Sequence, residues 1–175
     1  LYPRTAAELA AGVTVSNYVR EPGDIRRYGA STSGTSVANA TAITAAIAQA
    51  IESGGSPVVI TDGDYATDAL TISNYTGSGL EVIGKNGALT VGANVTAITI
   101  TGCRNVTVSG LAVKSSAASG LSQRGIYVVG SGRIRIKGNS FRDLTYGTYV
   151  GASATGIATG AFPIPISITD NIYQE

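Results

Sequence analysis

The sequence predicts an all-β chain: a right-handed parallel β-helix of about five coils with a short N-terminal helical cap. Three observations carry this. Gly makes up 23 of 175 residues, nearly twice the usual ~7%, and stands beside short β-branched runs, as expected for many short strands joined by tight turns. Leu70-Thr71-Ile72-Ser73, Ile98-Thr99-Ile100-Thr101 and Ile126-Tyr127-Val128-Val129 repeat one pattern at intervals of 28 residues. A second series interleaves with it: Val58-Val59-Ile60, Leu80-Glu81-Val82, Val106-Thr107-Val108, Ile134-Arg135-Ile136 and Ile166-Ser167-Ile168, starting 22, 26, 28 and 32 residues apart. Two series in phase, with one growing period, describe a coil with at least two faces per turn. That is a solenoid; a sandwich would not hold the two series in step. At ~4.8 Å per coil, five coils span roughly 24 Å.

The elements follow in order. Thr5-Ala6-Ala7-Glu8 is a capping box, and its short helix should end at Gly12. Residues 13–24 read as an extended linker with Pro22-Gly23-Asp24 as a turn. Asn39 is placed as the N-cap of a second helix over 39–53, in which Ile43, Ala46, Ile47, Ala50 and Ile51 form one apolar face and Gly54-Gly55 the stop. This thin, Ala-rich helix is suited to covering the open end of a coil. The organisation is therefore an entry segment over 1–24, a capping strand and amphipathic helix over 25–55, and the β-helix over 56–175.

Alternation with a period of two assigns the faces. Ile134 and Ile136 point inward, while Arg133, Arg135 and Lys137 point outward. Stacking by register then makes an outward column of Glu81, Thr107, Arg135 and Ser167, and another of Thr71, Thr99 and Tyr127. A stack exposes strand edges at its ends, and no second cap follows Ile168. The chain is expected to continue in the native protein, or another subunit to cover that end. Leu1-Tyr2-Pro3-Arg4 lacks the basic-then-apolar order of a signal peptide and an initiator Met, which points to a processed chain or a piece of a longer one.

Composition excludes several chemistries. There is no His, so no Ser-His-Asp or Cys-His system and no His-ligated metal can form. The one Cys, Cys103, excludes an intrachain disulfide and reads as inert packing. No metal site and no cofactor are expected. Twelve basic and eleven acidic residues give a net charge of +1, which offers no overall attraction to nucleic acid or an anionic membrane, and no apolar run reaches the ~18 residues of a span. Four Asn-x-Thr sequons, at Asn39, Asn74, Asn94 and Asn105, are ascribed to chance in a chain rich in both residues.

Asp24-Ile25-Arg26-Arg27-Tyr28-Gly29-Ala30, a Gly/Ser/Thr loop and Thr41-Ala42-Ile43-Thr44-Ala45-Ala46-Ile47 resemble the entry to pectate-lyase-like right-handed parallel β-helices. Gly54-Gly55-Ser56-Pro57-Val58-Val59-Ile60-Thr61-Asp62-Gly63-Asp64-Tyr65 resembles that family's first coil. Residues 3–13 resemble segments that precede this fold in bacteriophage and prophage tail spikes. One departure is Ala38-Asn39, where the family often carries two Asp residues. The resemblance implies a homotrimer, found outside the cell or on a virion tail, that recognises and sometimes depolymerises a host surface polysaccharide. The alternatives it leaves are a free secreted polysaccharide lyase or glycoside hydrolase and a purely structural adhesin segment.

The residues themselves offer few candidates for chemistry. Glycoside hydrolysis needs two carboxyls ~5–9.5 Å apart, and Asp143 and Glu175 each lie nine residues beyond the start of a stacked strand. Asp62 and Asp64 read as turn residues. Arg133, Arg135 and Lys137 form a basic strip able to hold an acidic glycan, and also one that would blunt lateral aggregation. Tyr127, Tyr146 and Tyr149 offer apolar ring faces with polar tips, suited to sugar rings or to packing under long turns.

Overall fold

The computed structural model describes residues 1–117, 122–151 and 165–174. They form a parallel β-solenoid of four complete turns and the first two strands of a fifth, with a helical cap at one end. In chain order the elements are helix α1 (Ala6–Ala10), a 3-10 turn (Ile25–Tyr28) and helix α2 (Ser36–Glu52), followed by twelve strands. These are β1 (Val58–Thr67), β2 (Leu70–Ser73), β3 (Leu80–Val91), β4 (Thr96–Thr101), β5 (Arg104–Ser109), β6 (Ala112–Ser115), β7 (Arg124–Val129), β8 (Gly132–Lys137), β9 (Ser140–Arg142), β10 (Tyr146–Gly151), β11 (Ile166–Thr169) and β12 (Ile172–Gln174). Every ladder is parallel.

Each turn has three faces, one more than the two interleaved series reveal. The first stacks the early half of β1, then β3, β5, β8 and β11; the second stacks the later halves of β1 and β3, then β6, β9 and β12. The third stacks β2, β4, β7 and β10. Inward residues superimpose turn on turn: Leu80, Val106, Ile134 and Ile166 on the first face, Tyr65, Leu89, Val113 and Phe141 on the second, and Ile72, Ile100 and Val128 on the third. Apart from half-buried Ile166, all of these are buried. Both expected outward columns form: Glu81, Thr107, Arg135 and Ser167, and Thr71, Thr99 and Tyr127. The first step of the second series is offset, because Val58 pairs with Val82 rather than Leu80.

The corners explain several residues read differently from the sequence. Asn74, Gly102 and Gly130 close the third face in three successive turns, with φ of 56°, 63° and 56°. Left-handed backbone favours Gly, and Asn is the side chain that tolerates it best. Asn94 and Asn105 adopt the same conformation, so three of the four sequons are corner residues. The fourth, Asn39, is fully buried.

The cap differs from expectation at two points. Thr35, not Asn39, caps α2, accepting from the Ala38 amide. Asn39 lies inside the helix, where its Oδ1 accepts from the Ser31 amide and its Nδ2 donates to the Ala66 carbonyl, tying cap to β1. Where a capping strand was expected after residue 25, the chain makes the 3-10 turn, capped by Asp24, with a lone parallel bridge from Asp24 to Val59. The Thr5–Glu8 capping box is present and α1 ends before Gly12.

One buried ion pair holds the cap together. Arg27 and Glu8 are both fully buried. Arg27 Nε donates to Glu8 Oε1 (2.5 Å) and Nη2 to Oε2 (3.0 Å). Its remaining donors reach the carbonyls of Tyr2, Pro3 and Arg20. Glu8 also accepts from the Thr5 amide and the Tyr28 hydroxyl. Burial pushes the Glu8 carboxyl up, but the bonds from Arg27, Thr5 and Tyr28 outweigh it and hold it down at about 2.

Candidate functional site

The third face brings the three predicted tyrosines together. Parallel register sets Tyr149 of β10 directly over Tyr127 of β7, and Tyr146 directly over Arg124. The ring centroids of Tyr127 and Tyr149 are 5.4 Å apart and those of Tyr146 and Tyr149 5.6 Å, with interplanar angles of 39° and 55°. Tyr146 and Tyr149 are 47% and 40% exposed, enough to present ring surface to a ligand. Tyr127 is half-buried beneath them, its hydroxyl so close to Gly151 that a side chain there would collide with it.

Arg124 completes this cluster. Its guanidinium carbon lies 5.0 Å from the ring centre of Tyr149, 5.3 Å from that of Tyr127 and 6.0 Å from that of Tyr146. Strict alternation would point Arg124 inward with Ile126. The strand turns a corner at Gly125: Ala97-Ile98 and Gly125-Ile126 are consecutive buried pairs that break the alternation. Gly125 packs against the Phe141 ring and the Gly147 carbonyl, leaving no room for a Cβ. A small residue recurring at 97, 125 and 147, each one residue before an inward position, was the available signal.

The basic strip lies round the next corner, on the first face. Arg133, Arg135 and Lys137 are exposed on β8, as expected, and among the described residues none has an ion-pair partner. Arg133 and Arg135 line an open groove with Ser78, Asn105, Thr107 and Ser167. Arg133 holds φ of 53°, directly above the left-handed Asn105 of the turn below.

The candidate acids are placed differently. Asp143 is exposed on the turn after β9 and pairs with Arg142 Nε at 3.2 Å; Glu175 lies outside the described residues. Asp62 and Asp64 sit inside β1, beside a register shift at Thr61, not in a separate turn. Asp62 accepts from Asn86 Nδ2, and Asp64 pairs with Lys114 Nζ at 2.5 Å and with the Thr90 hydroxyl. Burial raises the Asp64 carboxyl, but Lys114 and Thr90 bring it below its ordinary value, so it serves as a tie between turns. Cys103 is buried with Sγ against the carbonyls of Ile72 and Thr101, and burial pushes its thiol up. Among the described residues no three His, Cys, Asp or Glu side chains cluster as metal ligands, and no helix is long and apolar enough to cross a membrane.

The fold and this face define a parallel β-solenoid carrying an aromatic–cationic patch. No family model and no curated protein matches the chain. A solved structure from Parabacteroides merdae, provisionally described as a glycosyl hydrolase, is similar at 13% identity and a TM-score of 0.37, covering 86% of this chain and 96% of that one. At that distance it says nothing about the activity of this chain.

Proposed function

We propose that this chain is a tail-spike-like β-helix segment, outside the cell or on a virion tail, that recognises a host surface polysaccharide as a homotrimer. The observation that carries the reading is the tyrosine cluster on the third face. Two of its rings are open to solvent and tilted toward one another. Sugar rings present C–H-rich faces that pack on aromatic surface, while ring hydroxyls meet the Tyr tips. A stack of flat faces displays such rings along an extended chain, which suits a polymer better than a small molecule. Recognition is favoured over cleavage because Asp143, the described member of the acid pair, is engaged by Arg142 on an exposed turn.

Two measurements test this. Affinity electrophoresis through gels containing bacterial surface polysaccharides should retard the chain, and Tyr149→Ala should abolish the retardation; equal mobility with every polysaccharide would refute recognition. Light scattering after size exclusion should give about three times 17.6 kDa; a stable monomer would refute the trimer.

A further inference from the structure

We propose that the Arg124 cluster is an acid-reading subsite, so that the ligand is an anionic polysaccharide whose carboxylate docks on the Arg124 guanidinium. This rests on the glycan reading above and adds to it the charge of the ligand.

Arg124 is held by its faces and free at its edge. Three rings lie against the guanidinium, at 5.0, 5.3 and 6.0 Å, yet the side chain stays partly exposed. Among the described residues, no carboxylate, carbonyl or hydroxyl accepts a hydrogen bond from it. Three arginines are engaged by carboxylates, Arg27 by Glu8, Arg26 by Asp24 and Arg142 by Asp143, and Arg124 differs from the remaining ones in being framed by rings. Stacking uses the faces of a guanidinium and leaves its edge, where the N–H groups point, for a carboxylate held by two parallel bonds. The rings also fix the side chain and displace water from its faces, which strengthens an edge-on bond and lowers the entropy lost on binding.

The distribution of charge along the chain points the same way independently. The net charge of +1 conceals a strong segregation. Residues 1–81 carry four basic and eight acidic side chains, residues 82–142 carry eight basic and none acidic, and residues 143–175 carry three acidic and none basic. The basic stretch makes the turns that contain Arg124 and the strip of Arg133, Arg135 and Lys137. Two of its eight cations are neutralised, Lys114 by Asp64 and Arg142 by Asp143. The turn from β7 to β8 therefore holds four cations with no described ion-pair partner, on two adjoining faces. Such a turn attracts a polyanion, and the tyrosines favour one built of sugar rings.

The test is a glycan array spanning acidic and neutral bacterial polysaccharides, then calorimetric titration of the best oligosaccharide beside the same oligosaccharide with its carboxyls reduced to alcohols. Acidic glycans should dominate the array, and carboxyl reduction should weaken binding about tenfold or more. Arg124→Gln should produce the same loss toward the acidic form and a clearly smaller one toward the reduced form, with Arg124→Lys failing to restore the bidentate contact. Preference for neutral glycans, or acidic binding unmoved by Arg124→Gln, would overturn the proposal while leaving glycan recognition standing. No binding to any glycan would overturn both. Equal binding to double-stranded DNA would show a nonspecific polyanion surface and overturn the acid-reading claim.

Discussion

Two arginines sit in different parts of the molecule, one in the cap and one on the third face of the solenoid. Arg27, in the cap, is fully buried and every one of its donors is used, by Glu8 and three carbonyls. Arg124, on the third face, is framed by three rings and donates to no described acceptor. The contrast separates two uses of one side chain. A guanidinium with all its bonds made is committed to the fold, since removing it orphans buried partners. One held by its faces with its edge free is preorganised for a partner from solution.

Substitution should expose that difference. Arg27→Gln is expected to cost ~3–5 kcal/mol, because Glu8 is left as a buried charge, as read by urea denaturation; Arg124→Gln should cost ~1 kcal/mol or less. Equal costs would erase the distinction. Acid should also act on the cap. The Glu8 carboxyl sits at about 2 in the folded chain, below its ordinary value near 4.5. The unfolded chain therefore takes up the proton first. Glu8 contributes about 3 kcal/mol above pH 4.5, and this is lost as the pH falls from about 4.5 to 2. Denaturation midpoints measured across that range should fall, and should fall less in Glu8→Gln.

The later turns of the stack should respond less. Asn139 is buried between turns, accepting from the Leu111 amide and donating to the Val108 carbonyl and to Asn171 Oδ1. Asn139→Ala should cost about 1–3 kcal/mol by orphaning these groups, measured by thermal unfolding. The smallest effect has the opposite sign. Arg133 occupies a left-handed position at φ of 53°, so Arg133→Asn should add about 0.5–1 kcal/mol of stability. A loss there would mean that Arg133 makes stabilising contacts in the folded chain.

Much of this fold is legible in the sequence because a solenoid writes its period into the chain. The 28-residue spacing, the inward isoleucines and the outward Tyr127 follow from stacking and alternation alone. The second strand of each turn does not: β6 has four residues and β9 three, too few to show a period. Asn39 looks like a cap because its side chain suits one, but tertiary bonds to Ser31 and Ala66 draw it into the helix. The tyrosines could be named but not assembled. Their meeting depends on β10 lying one turn above β7, at a spacing of 22 that departs from 28. Arg124 was hidden by the corner at Gly125, which reverses its direction, and the basic middle turns were hidden by a net charge that sums the cap against them.

The central claim is that the third-face rings are kept for a ligand and not for the fold. Tyr149→Ala tests it most directly when denaturation and polysaccharide affinity are measured on the same protein. The account predicts that stability changes by about 1 kcal/mol or less, while affinity for the acidic polysaccharide falls at least tenfold. A loss of 2 kcal/mol or more in stability with affinity unchanged would contradict it, and would return the tyrosines to the packing of the stack.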